Sequence, residues 1–446
     1  MSTCSPPSVS QDALERAINK AKWRLIPFLL LLYIGSYLDR ANVGFAKQAF
    51  QHDTGLSDAA FAFGAGIFFL AYALFEVPSN LIMHRVGARL WMSRIMVTWG
   101  LVAAATMFAT NATLFSVVRF LLGTAEAGFF PGAILYLTYW FPARARGEVL
   151  GVFYFGGPVA LMLGAPFSGW LLDFDGFLGL HGWQWMFLIE GLLASAIGVW
   201  TYFYLVDRPK KATWLTPEEK EALDAAIAAE DAEKQAAGHV TLRSVFSDRR
   251  MLHFAAIYML IQVAGYGVAF YLPTIVSSLL HQKVGLYVGF VSAIPWACSL
   301  LAGYFLPRLA VRHNIQRPLA ATMLVVMTLG LVISSLVSPV LAIGAFCFAT
   351  MGLMAAQPMF WTFPTRYLGG IAASGGIAII NAIGNLGGFF APNVKTWAEI
   401  VFGGGPVGIY PLAFASFTAA ILVALLRTGR TTPKPPDHSL LSPVRQ

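Results

Sequence analysis

The sequence predicts an all-α membrane protein of twelve transmembrane helices in two pseudo-symmetric six-helix bundles. Three observations lead there. Of 446 residues, 57% are hydrophobic and only 12% are charged, too little charge to cover a soluble protein of this size. Predominantly apolar runs of about 20 residues, the length needed to cross a bilayer, recur twelve times. One long polar segment, residues 207–250, divides them six and six.

Residues 1–24 are polar and charged. They hold no apolar core and no small-residue cleavage site, so they read as a cytoplasmic segment and no removable signal peptide is expected. The first bundle, residues 25–206, contains runs at 25–46, 60–82, 90–110, 113–139, 148–172 and 184–206. The polar segment 207–250 includes "TPEEKEALDAAIAAEDAEKQ". Thr216 is placed to cap a helix there, Pro217 fits its first position and Glu219 completes a capping box. The acidic first turn suits the helix dipole, and the segment reads as a surface helix joining the bundles. The second bundle, residues 251–428, contains runs at 252–278, 285–306, 319–338, 340–363, 372–394 and 407–427. Spans nine and ten meet across a very short turn at Ser338-Pro339. Residues 429–446 form a cytoplasmic tail.

The basic residues sort by side. Loops and chain ends on one side hold 25 Lys and Arg, among them Arg85, Arg89, Arg144, Arg146, Arg208 and Arg308, while the other side holds only Lys47, Lys283 and Lys395. Cytoplasmic loops carry the excess of Lys and Arg, so both termini and the central segment are expected in the cytoplasm. The bias also accounts for the net charge of +8 without nucleic acid as a partner. Cys4, Cys298 and Cys347 are too far apart in the chain to imply a disulfide framework or a metal site.

Two clusters of charge remain inside the apolar runs, where each charge costs about 2.5–3.5 kcal/mol at a helix centre. The first is "SYLDRANVGFA", residues 36–46, with Asp39 beside Arg40. Adjacent side chains diverge by about 100° on a helix, so the two are not primarily each other's partner. They are expected to border one polar cavity, Arg40 facing an anion and Asp39 exchanging a proton as its surroundings change. The second is "RFLLGTAEAGFFPG", residues 119–132. Arg119 and Glu126 share one helix face two turns apart, and Gly123 between them leaves that face open. A stripe of cation, gap and carboxylate suits a small anion with a proton site beside it. Stability alone does not account for two such clusters, because buried ion pairs are rarely net stabilising.

Other polar residues in the spans are weaker signals. Glu76, in "FEVPSN", reads as a gate or packing residue, and Glu190, in "FLIEGL", as a structural partner. Tyr37, Tyr72, Tyr154, Gln262, Tyr266, Gln357, Asn381 and Asn385 are candidates to read a substrate's hydroxyl or carboxylate groups, although each alone more often makes an interhelical hydrogen bond. Trp361 is a candidate to shape the cavity. The glycine-rich "FGGPVALMLGAP" (155–166) and "AIGNLGGFFAP" (382–392) look like distant copies. A two-fold repeat of this kind is typical of transporters that bind substrate near the midplane.

These residues carry a resemblance. Twelve spans, a long segment after the sixth and "LIMHRVGAR" after the second resemble the major facilitator superfamily. More narrowly, "YLDRANVGFA", "RFLLGTAEAGFFPG" and "FWTFPTRYLGGIAASGGIAIINAIGNLGGFFAP" resemble the anion:cation symporter family, and "GLHGWQWMFLIEG" its tartrate and phthalate permeases. The resemblance covers residues 24–427. It implies protonation at Asp39 and Glu126, substrate and coupling roles for Arg40 and Arg119, and substrate contacts at Tyr37, Tyr72, Asn381 and Asn385. The sequence also departs from the superfamily. Asn80 and His84 stand where Gly and Asp are usual, "GYFLPRLAVRHN" lacks the usual Asp, and "GGPVALMLGAP" partly resembles an antiporter motif.

The expectation is therefore a monomeric inner-membrane transporter that imports a small organic carboxylate by alternating access. That substrate could be a sugar acid, a tartrate-like dicarboxylate or an aromatic acid. Protons are the coupling ion, no other cofactor or metal is expected, and the lipid bilayer is the remaining partner. An organic-anion exchanger or uniporter of the same fold is the alternative. A membrane enzyme would need a motif such as HExxH, GxSxG or a Walker loop, and none is present. A receptor would need a sizeable soluble output domain, which the chain lacks.

Overall fold

A computed structural model describes residues 11–236, 248–367 and 372–426. The tail at 429–446 and Arg243 lie outside the described residues. Every regular element among the described residues is helical. The first bundle comprises α1 (Gln11–Thr54), α2 (Asp58–Val86), α3 (Ala88–Ala105), α4 (Ala112–Glu126) continued by α5 (Phe129–Trp140), α6 (Ala143–Tyr154) continued by α7 (Gly156–Leu172), and α8 (Gly182–Tyr204). After α9 (Pro217–Ala236), the second bundle comprises α10 (Arg249–Leu280), α11 (Leu286–His313), α12 (Gln316–Ser334), α13 (Pro339–Tyr367), α14 (Ala372–Asn385) continued by α15 (Gly387–Phe402), and α16 (Ile409–Ala424).

Eleven stretches are long and apolar enough to cross a membrane. The twelfth predicted run, 372–394, falls on α14 and α15, neither of which spans alone because the helix breaks at Leu386. Two other spans break in the same way. The α4–α5 break sits at Ala127-Gly128, where Gly128 takes φ 87°, and the α6–α7 break at Phe155. The breaks at Phe155 and Leu386 each immediately precede a Gly-Gly pair in the two segments that look like copies. Broken backbone at membrane depth is tolerated where it lines a cavity or is buried in protein. Here Glu126, Tyr154 and Asn385 each end the helix before a break, so the three breaks bring polar side chains to the molecule's middle.

The two bundles meet tightly on the face opposite α9. A Cβ on Gly169 would strike the Gly285 carbonyl oxygen, and one on Gly44 the Phe270 carbonyl oxygen; only glycine lets these backbones approach so closely. Hydrogen bonds add to the seal. Asp173 Oδ2 accepts from Leu286 N at 3.0 Å, and Ser277 Oγ donates to Gln48 Oε1 at 3.0 Å. Two of the three basic residues expected on this face are buried in the seal, one from each bundle. Lys47 pairs with Asp58 at 2.7 Å, and Lys47 and Lys395 lie 5.4 and 3.9 Å from the Tyr271 ring. Among the described residues, the cross-bundle hydrogen bonds all lie in this half or at mid-depth, so this conformation is closed on the face away from α9.

On the opposite face α9 packs against the polar start of α1. The expected capping box is present: Thr216 N donates to Glu219 Oε2 at 2.9 Å, and Glu219 N to Thr216 Oγ1 at 3.3 Å. Glu219 also holds Lys20 Nζ at 2.8 Å and faces Arg16 at 3.8 Å. Desolvation acts to raise the Glu219 pKa. The hydrogen bonds from Lys20 and the Thr216 backbone, with the charges of Lys20 and Arg16, outweigh it and hold the carboxyl below the usual glutamate value.

Candidate functional site

Arg40 is the centre of the site. It lies about midway along the buried part of α1, 6% exposed, with Ser36 one turn before it on the same face. Its Nη2 lies 2.6 Å from Glu126 Oε1 and its Nε donates to the same oxygen at 2.8 Å, while Ser36 Oγ donates to that oxygen at 2.6 Å. On its other side Nη1 donates to the Tyr266 hydroxyl of α10 at 3.2 Å. One guanidinium thus connects a carboxylate of the first bundle to a hydroxyl of the second. The Tyr72 ring lies 4.8 Å beneath it.

Asp39 points elsewhere, as helix geometry requires. Its Oδ1 accepts from Asn42 Nδ2 at 3.1 Å, and the same amide donates to Glu190 Oε2 on α8 at 2.9 Å. Ser168 Oγ donates to Glu190 Oε1 at 2.7 Å. Two buried carboxylates therefore share one neutral amide. Asp39 Oδ2 is buried with no hydrogen-bond partner among the described residues. The sequence reading expected a structural partner for Glu190 without naming one, and Asn42 and Ser168 are the residues that bind it.

Arg119 is 1% exposed, with its guanidinium 4.9 Å from the Phe68 ring. Its Nε and Nη2 are buried without hydrogen-bond partners among the described residues. The sequence reading of an open face at Gly123 is corrected here. A Cβ on Gly123 would strike the Phe68 carbonyl oxygen, so α2 fills the gap between Arg119 and Glu126. The glycine serves close packing of α4 on α2.

Between the bundles lies a cavity of two adjoining chambers, each of about 30 Å³, room for about two waters. Both are bordered by Tyr37, Arg40, Gln262, Tyr266 and Gln357. Tyr72, Tyr154, Asn381 and Asn385 line one of them. Among the described residues Arg40 is the one charged residue in either wall; Asp39, Arg119 and Glu126 are buried behind it. The sequence reading had Asp39 and Arg40 share the cavity border, but the 100° between them turns Asp39 into the first bundle. Trp361 does not line the chambers. It packs 4.7 Å from the Tyr258 ring, and of these two rings Tyr258 is the one that reaches the wall.

Some of the polar candidates to read a substrate make the interhelical hydrogen bonds that were the alternative for each. Asn381 Nδ2 donates to Glu76 Oε1 at 3.0 Å across the bundle interface, and Gln357 Nε2 to Gln262 Oε1 at 2.6 Å. Sequence reasoning missed Ser36, Asn42, Ser168 and Tyr258. Ser36 and Asn42 had a signal: each is a polar residue in an apolar run, one helical turn from Arg40 or Asp39. Ser168 and Tyr258 reach the site from other helices, and no local pattern marks them.

Comparison with known proteins agrees with this architecture. A family model of the Major Facilitator Superfamily matches residues 29–392. The inner membrane transport protein RhmT of Escherichia coli (strain K12) is 44% identical over 423 residues, covering 95% of this chain and 98% of that protein. A putative tartrate transporter of Agrobacterium vitis is 40% identical over 427 residues, covering 96% and 94%. The crystal structure of a D-xylose-proton symporter matches with a TM-score of 0.70 at 15% identity, over 90% of this chain and 96% of that one, a likeness of fold alone. The chain belongs to the Major Facilitator Superfamily, as a multi-pass membrane transporter and not an enzyme.

Proposed function

We propose that this transporter imports a small organic carboxylate with protons, by alternating access, with both termini and α9 in the cytoplasm. The observation that carries the reading is the single guanidinium of Arg40 at the cavity wall, bound behind by Glu126 and across the interface by Tyr266. A carboxylate entering the cavity competes with Glu126 for Arg40. Protonating Glu126 ends its claim on the guanidinium, so proton and anion favour each other's binding, and linkage makes the effect reciprocal. Arg119 supplies a second buried positive charge beneath the first. Tyr37, Tyr72, Asn381 and Asn385 read the rest of the substrate, and Asp39 is the second proton carrier. The similarity to a putative tartrate transporter supports a small organic acid.

Chambers of this size hold no organic acid, so loading requires the bundles to part on the α9 side. The closed far face leaves that side as the one to open, which alternating access requires of one of two main states.

Uptake into proteoliposomes tests the reading. An inward proton gradient should concentrate a labelled tartrate or sugar acid, and collapse of the gradient should abolish accumulation. Counterflow that ignores the gradient would make the protein an organic-anion exchanger instead. Orientation is tested separately. A cysteine introduced at Ala236 should resist an impermeant thiol reagent in intact cells and react after permeabilisation.

A further inference from the structure

Away from the transport site, a pocket opens where the polar part of α1 meets the end of α8 and the segment before α9. Asn19, Lys20, Trp23, Arg24, Tyr204 and Trp214 line it. It sits at the boundary of two chemistries. The basic stretch of α1 ends at Arg24 and the apolar run begins at Leu25, while α8 ends at Tyr204.

Three groups in this corner keep capacity that no contact among the described residues uses. Arg24 is exposed, its guanidinium 5.2 Å from the Tyr204 ring and 5.5 Å from the Trp214 ring. Those rings orient the charge, yet no carboxylate pairs with it among the described residues. Lys20 is anchored by both oxygens of Glu219, and an ammonium has a third donor to give. Trp23 is 84% exposed, a placement costly in water but ordinary at the depth of lipid headgroups. On the apolar side of the pocket, Phe28 packs 5.1 Å from Trp200 and 4.2 Å from Tyr204. Beside it Trp200 and Phe203 are 50% and 74% exposed. A cationic rim thus stands directly above an outward-facing aromatic strip.

We propose that this corner binds the phosphate of an anionic membrane lipid. Arg24 and Lys20 hold the headgroup, Trp23 shields it, and the Trp200–Phe203 surface lies against the acyl chain. Free phosphate offers the same anion chemistry but nothing for the aromatic strip, which is why the lipid is the assigned ligand.

The test uses the purified full chain, stripped of lipid in detergent. Retention of phosphatidylglycerol is read by native mass spectrometry and its effect on thermal unfolding is measured. Phosphatidylcholine and inorganic phosphate serve as the other two arms. Phosphatidylglycerol should be retained and should raise the melting temperature, with phosphatidylcholine well behind it. Arg24→Gln should weaken retention about five-fold, the effect of about one basic residue at a membrane surface, and Arg24→Lys should keep it. Should Arg24→Gln fail to fold, Trp23→Ala replaces a mostly exposed side chain and should also weaken retention. Equal retention by wild type and the variants overturns the site. Arg24-dependent stabilisation by inorganic phosphate, with none by phosphatidylglycerol, overturns the lipid as its ligand.

Discussion

The two bundles share an architecture but divide the chemistry. Among the described residues, the first bundle carries all the charge at mid-depth: Asp39, Arg40, Glu76, Arg119, Glu126 and Glu190, each no more than 6% exposed. The second meets it there with neutral groups, Tyr258, Gln262, Tyr266, Gln357, Asn381 and Asn385; its intramembrane ion pair, Lys395 with Glu399, lies near the far face. The division gives the two halves a different reach. Charges in a poorly solvated interior interact strongly over several ångströms, so the acids and arginines respond to one another as a unit when kept in one rigid bundle. Neutral donors act only at contact, so placing them on the other bundle makes their contribution depend on how the bundles close. Among the described residues, Arg40 to Tyr266 and Glu76 to Asn381 are the two places where the charged half touches the neutral half through hydrogen bonds at this depth.

Substitutions can break this division. Arg119→Gln should have the largest effect, lowering substrate affinity about ten-fold or more, since it removes the second buried positive charge behind Arg40, and charges in a poorly solvated interior attract an anion strongly without touching it. Ligand-induced thermal stabilisation of the purified variant checks it. Undiminished affinity would leave Arg40 as the sole anion contact. Glu126→Gln, which mimics the protonated acid, should keep substrate binding and internal-for-external exchange while losing accumulation driven by a pH gradient. If this variant still concentrates substrate as the wild type does, the coupling acid is Asp39.

Substitutions in the second bundle should be milder and of a different kind. Asn385→Ala or Gln262→Ala should raise the KM for uptake by about two- to ten-fold, the range for a neutral hydrogen bond, and leave the pH response of transport unchanged. A shifted pH response in either would show that the neutral half also couples. The smallest effect belongs to the α1–α9 contact, outside both bundles. The Glu219 carboxyl is held below its usual value, so its stabilisation is full above an ordinary glutamate pKa of about 4.3. It is lost as pH falls through the lower folded value. Thermal melts in the acid range should show a decline in the wild type that is weaker in Glu219→Gln, with the two curves parallel near neutrality.

Much of this protein was determined by the sequence alone. Apolar length, the central polar segment and the Thr216–Glu219 capping box follow from local chemistry, because a span, a linker and a helix start are each specified by the residues within them. The candidate charges were legible for the same reason: a charge in an apolar run is conspicuous without any knowledge of its neighbours. Partnership was not legible. Arg40 chooses Glu126 over the adjacent Asp39, Asp39 shares Asn42 with Glu190, and Asn381 spends its amide on Glu76. Each choice turns on a residue from another helix: Glu126 for Arg40, Glu190 for Asn42 and Glu76 for Asn381. The gap at Gly123 and the place of Trp361 were misread on the same account, since what fills a glycine's space or covers an indole belongs to another helix. Local spacing sets the direction in which a side chain leaves its helix; only the packing of the helices sets what it meets there.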